Sequence, residues 1–112
     1  MSMDLEVWSP NEVTLPDDLP DSERWVQHGG DFAREEDEWQ VLVIPETRSP
    51  SADVTARLSK TARGVCVTLE PIGAPEEGYK YLETTVRHLA RVSEGLWLSP
   101  HGALHRHDEG DW

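Results

Sequence analysis

The segment EEGYKYLETTVRHLARVSE, residues 76–94, sets the strongest limit on what this chain can fold into. Tyr79, Leu82, Val86, Leu89 and Ala90 recur at the helical period and form one apolar stripe, which Val92 widens near its end. Pro75 stands at a first-turn position, Glu76 and Glu77 complement the positive end of the helix dipole, and Arg87, His88 and Arg91 lie toward its negative end. Gly95 marks the stop. A helix striped on one side has to bury that stripe against a second layer, and its neighbours in sequence read as strands.

Before it, VCVTLEPI (65–72) alternates apolar and polar residues and closes at Pro71; after it, Leu96-Trp97-Leu98 is a short apolar run. WQVLVI (39–44), ended by Pro45, is the strongest strand signal, and LEVW (5–8) is a shorter one stopped at Ser9-Pro10. Trp25 to His28 leads as a strand into the glycine pair Gly29-Gly30, a turn, followed by Asp31-Phe32-Ala33. After the turn Ser99 to Gly102, Ala103 to Arg106 reads as a final strand or an extension of the preceding one. Pro16 and Pro20 break residues 11–24 into an irregular loop with at most one helical turn. A second, shorter helix is expected over about 51–62, with Ser51 as N-cap, Val54, Leu58 and Ala62 at helical spacing, and Arg63-Gly64 at the stop. The expected fold is therefore α+β: a single domain over 1–112, with an antiparallel or mixed sheet of about 4–6 strands and both helices, about 51–62 and 76–94, packed on one face.

Charge narrows the range of functions. The chain has 112 residues and a net charge of −12. Residues 1–50 carry 13 Asp and Glu against 3 Arg, whereas residues 51–112 carry 9 acidic against 7 basic side chains. An excess of this sign argues against binding nucleic acid or anionic lipid, both of which need cations to neutralise phosphate. The start MSMDLEV lacks a basic n-region and an apolar core, and no apolar run approaches a bilayer span, so a soluble cytoplasmic protein is expected. The lone Cys66 lies within VCVTL and reads as a small buried hydrophobe.

The acidic excess peaks in DFAREEDEWQVLVIP (31–45), where Arg34, Glu35, Glu36, Asp37 and Glu38 directly precede the strongest strand. A solvated hairpin or loop tip feeding that strand accommodates the run, and on this reading all four carboxylates are dispensable for stability. Asp31 with Glu35, Glu36, Asp37 and Glu38 would then be candidates for contact with a basic protein. Of the tryptophans, Trp8, Trp39 and Trp97 suit the core, whereas Trp25 and Trp112 lie among polar residues and are candidate aromatic anchors for a partner.

No P-loop, dinucleotide fingerprint, nucleophile elbow, HExxH or paired CxxC occurs. No cofactor is expected. His101, His105 and His107 in HGALHRHDEGDW are the candidate metal ligands: were residues 103–107 extended, His105 and His107 would project to the same face. A metal-dependent protein or enzyme built on these histidines, or an accessory domain, are the alternatives to a binding protein.

The order of elements in residues 64–102, a strand ending LEPI, then Ala74-Pro75, an amphipathic helix, Gly95-Leu96-Trp97 and Ser99-Pro100, resembles small bacterial immunity proteins of toxin and effector systems. The resemblance implies a small, acidic, cytoplasmic protein that blocks a toxin or effector with a basic surface by direct binding. It transfers no individual residue.

Overall fold

The computed structural model describes residues 3–110. The strands are β1 Met3–Ser9, β2 Val26–His28, β3 Asp31–Glu35, β4 Gln40–Pro45, β5 Arg63–Glu70, β6 Leu96–Leu98 and β7 Leu104–His105; the helices are α1 Ala52–Arg57 and α2 Glu76–Ser93. All seven strands join in one sheet of order β2-β3-β4-β5-β1-β6-β7, one strand more than the upper end of the expected range. Every neighbouring pair is antiparallel. One 3-10 turn, Ser22–Arg24, interrupts the loop between β1 and β2. Among the described residues no helix is long and apolar enough to cross a membrane.

Register explains the core. Val43 of β4 lies opposite Val67 of β5, which lies opposite Leu5 of β1; Val41 pairs with Leu69, and Val7 pairs with both Val65 and Trp97. Since side chains alternate along a strand, these residues share one face. The stripe of α2 covers them with Leu82, Val86, Leu89 and Ala90, all buried. Full burial of a Val or Leu side chain contributes about 1.5–3 kcal/mol, so this layer is the main source of stability. Val92 lies outside the stripe, 40% exposed.

The end of α2 differs from the expected glycine stop in an instructive way. The left-handed residue is Glu94, at φ 58°, and not Gly95. Gly95 is required for another reason: a Cβ there would collide with the carbonyl oxygen of Trp8. The chain leaves the helix pressed against β1.

The expectation that both helices share a face is wrong. In β1, Leu5 and Val7 face α2, so Trp8 points to the other side, and Val54, Leu58, Ala62 and Leu104 gather around it in a second, smaller core. The helix there is also shorter than the spacing suggested. Ser51 caps it by accepting the Val54 N–H, but it ends at Arg57, and the Ser59 hydroxyl takes the Thr61 N–H at 2.9 Å, a local bond that competes with helix. The connection from β4 to α1 is clamped to this second face by Arg48, whose guanidinium reaches Glu6 at 3.1 Å and Glu46 at 2.8 Å.

Two outcomes are expected. Val43 is fully buried between Phe32 and Val67, so Val43→Asp should abolish cooperative thermal unfolding, because an unpaired buried charge costs several kcal/mol; a cooperative melt near the wild-type temperature would contradict this placement of β4. The Arg48 side-chain hydrogen bond, joined by its backbone N–H, holds the Glu46 carboxyl down to about 2 from an ordinary 4.5. A depressed carboxyl stabilises the fold above its unfolded pKa and loses that contribution as pH falls toward the folded one. The gap in melting temperature between wild type and Glu46→Gln should therefore be open at neutral pH and close between about 4.5 and 2.

Candidate functional site

The acidic run sits at the tip of the β3–β4 hairpin. Glu35 pairs with Gln40, the Glu36 N–H donates to the Trp39 carbonyl at 2.8 Å, and Asp37 and Glu38 form the turn between them. All four carboxylate residues, Glu35, Glu36, Asp37 and Glu38, are exposed, as the sequence suggests.

What holds the tip in place is the residue before the run. Arg34 falls on the inward side of β3, in the same alternation as Phe32, and is 6% exposed. Its guanidinium carbon lies 5.0 Å from the Tyr81 ring centre and 5.7 Å from that of Trp39, within cation–π range. Trp39 is itself buried and stacks obliquely on Tyr81 at 5.5 Å, and Trp25 lies 6.3 Å from the same tyrosine. Gly78 makes room on α2: a Cβ there would stand 3.1 Å from both the Trp39 ring and Leu69. The buried guanidinium forms an ion pair with Glu36, at 3.1 Å. Burial opposes the charge on Arg34, but hydrogen bonding and charge from Glu36 and Tyr81 together outweigh it, and the net shift raises its pKa. Glu36 therefore differs from its neighbours in having a structural role.

The tip borders two shallow hollows of about 490 and 330 Å3, which share Glu36, Asp37, Glu38 and Trp39. Glu35, Gln40, Glu70 and Pro71 complete the larger and Glu77 of α2 the smaller, and among the described residues no Lys or Arg lines either. The exposed Ile72, 51% accessible, follows Pro71 in the chain.

Other candidates from the sequence are placed differently. Trp25 is buried, not a surface anchor: its indole N–H donates to the Pro20 carbonyl at 2.8 Å, which satisfies its polar end while Tyr81 covers its ring. Asp31 is half-buried at the opposite end of β3, roughly 13 Å along the strand from Glu35 at ordinary strand rise, and so does not join the tip. Trp112 lies outside the described residues.

The histidines are not brought together. β7 ends at His105, so the extended run that would align His105 with His107 does not form. His105 packs its ring 5.2 Å from that of Trp97, His101 is exposed in the preceding turn, and His107 is exposed with its carbonyl accepting from Arg87 at 3.0 Å. Among the described residues no group of three or more His, Cys, Asp or Glu is arranged to hold a metal ion. A hollow of about 530 Å3 beside α1 is bordered by Glu6, Trp8, Leu98, Leu104 and two arginines; Arg48 is engaged with Glu6 and Glu46, and Arg57 with the Leu104 carbonyl.

Arg34 is the residue that sequence reasoning overlooked. The available signal was its parity: two positions after Phe32 in a strand, it shares the inward side. Comparison with known proteins gives no match to a family model, to a curated protein or to a solved structure.

The four carboxylates should separate on mutation. Asp37→Asn with Glu38→Gln should leave the melting temperature nearly unchanged, because exposed charges contribute little. Glu36→Gln should lower stability by about 1–2 kcal/mol, less than the roughly 3–5 kcal/mol of a fully buried broken pair because Glu36 stays in partial contact with water. Equal urea midpoints for all variants would show that Arg34 does not depend on Glu36.

Proposed function

We propose that the chain is a small acidic protein-binding domain that neutralises a basic partner by direct contact, in the manner of bacterial immunity proteins acting on a toxin. The observation that carries this reading is the acidic hairpin tip: Asp37 and Glu38 stand in water with Glu35, which hydrogen-bonds His28, beside Glu70 and Glu77, and among the described residues no Lys or Arg lines the hollows between them. Support also comes from the anchoring of the tip. A rigid binding element loses less conformational freedom on association, and Trp39 and Arg34 fix this one to α2 before any partner arrives. Complementary charge would speed encounter with a cationic cleft and disfavour acidic competitors. No catalytic step is assigned.

The reading expects a secreted effector to be encoded beside the chain's own gene, and the test is co-expression with the toxic domain of such an effector. Cells producing that domain should survive only when the chain is present. With the purified pair, replacing Glu35 and Glu38 by Gln and Asp37 by Asn should lower the association rate and flatten its salt dependence at unchanged melting temperature. Failure to protect the cells, or identical rates and salt slopes for both forms, would refute the proposal.

A further inference from the structure

The sheet has a second face, and no helix covers the part of it formed by β2, β3 and β4. Register places Val26 beside Ala33, Ala33 beside Leu42, Leu42 beside Thr68, and Thr68 beside Asp4, in one row across five strands. A second row runs from Ile44 through Cys66 to Glu6 and Leu98. A third is Glu35, Gln40 and Glu70. By strand alternation all three rows face away from α2. The residues α1 packs against, Trp8 and Leu104, lie toward the β1–β6–β7 end, so β2, β3 and β4 are left without a covering layer. On this face Val26 is 48% exposed and Leu42, Ile44 and Cys66 are half-buried, whereas the small side chains of Ala33 and Thr68, in the first row, are buried.

We propose that this face docks a protein surface in which apolar side chains are ringed by Lys and Arg. The proposal rests on the function argued above and specifies the surface that would carry it. Val26, Leu42 and Ile44 supply an apolar centre, as interface cores require. The rim is acidic, with Asp4 and Glu6 on one side and Glu35 and Glu70 on another, and Glu35 also belongs to the hairpin tip, so the face and the tip are continuous. Of the basic groups here, Arg48 is held between Glu6 and Glu46, and the His28 ring lies within hydrogen-bond distance of Glu35, at 3.1 Å. Charge selects the occupant: a second copy of a chain with net charge −12, a nucleic acid or an anionic membrane would set like charge against like.

Cys66 is a built-in reporter. It lies in the second row, half-buried and free of any disulfide. The experiment uses the full chain, labelled with 15N and titrated with a synthetic peptide of alternating Lys and Leu; a Glu and Leu peptide serves as control. The expected result is amide shifts at Val26, Ala33, Leu42 and Ile44, together with protection of Cys66 from iodoacetamide, by the basic peptide alone. Leu42→Ser with Ile44→Ser should weaken binding at least about tenfold. The wild-type Cys66 protection stands as an independent reading should that variant fail to fold. Shifts confined to Glu36–Trp39 with Cys66 unprotected would overturn the docking face and leave the acidic tip as the binding element. No shift anywhere would overturn both, and equal binding of the Glu and Leu peptide would overturn the choice of a basic partner.

Discussion

A buried guanidinium determines where the acidic hairpin sits. Arg34 occupies an inward strand position that an apolar residue would ordinarily fill, and desolvating it there is tolerable only because Tyr81 and Trp39 present ring faces and Glu36 supplies the counter-charge. The same contacts bring Trp39 down onto α2 over Gly78. Hairpin, helix and the loop carrying Trp25 thus meet at Tyr81, whose hydroxyl donates to the Pro20 carbonyl at 3.2 Å. The acidic run follows directly from this arrangement: Glu36 neutralises the buried cation, Glu35 meets His28 at the end of β3, and Asp37 and Glu38 are left in water at the turn.

The second constraint is that one long helix can cover only one face of a sheet. α2 seals the face of Leu5, Val41, Val43, Val67 and Leu69 completely. α1, six residues long, reaches only the neighbourhood of Trp8 and leaves the outer strands uncovered. Acidic side chains on the bare part keep such a surface in solution and disfavour contact between copies, while a basic partner would find both apolar area and opposite charge. Tip and face together make one side of the molecule strongly polarised, consistent with the concentration of acidic residues in the first half of the sequence.

Much of the architecture was legible because alternation and helical period are local signals. β4, β5 and α2 lie within a residue or two of where their patterns place them. The side occupied by α1 was not found, although its clue was local: Trp8 follows Val7, so the two cannot point the same way. Trp25 misled because its neighbours are polar, whereas its burial depends on Pro20 and on Tyr81, which is far along the chain. The hairpin tip was recognisable as solvated from composition. That Glu36 is tied to a buried arginine was not, since the pairing depends on α2 supplying Tyr81 at the same spot.

Hydrogen exchange at the tip tests most directly whether Arg34 holds the hairpin in place. The Glu36 amide, which donates to the Trp39 carbonyl at 2.8 Å, should be protected in the wild type and should lose at least about tenfold of that protection in Arg34→Leu, while the amides of β5 stay protected. Unchanged exchange at Glu36 in the variant, or a uniform loss through β5 as well, would contradict the role given to the buried guanidinium.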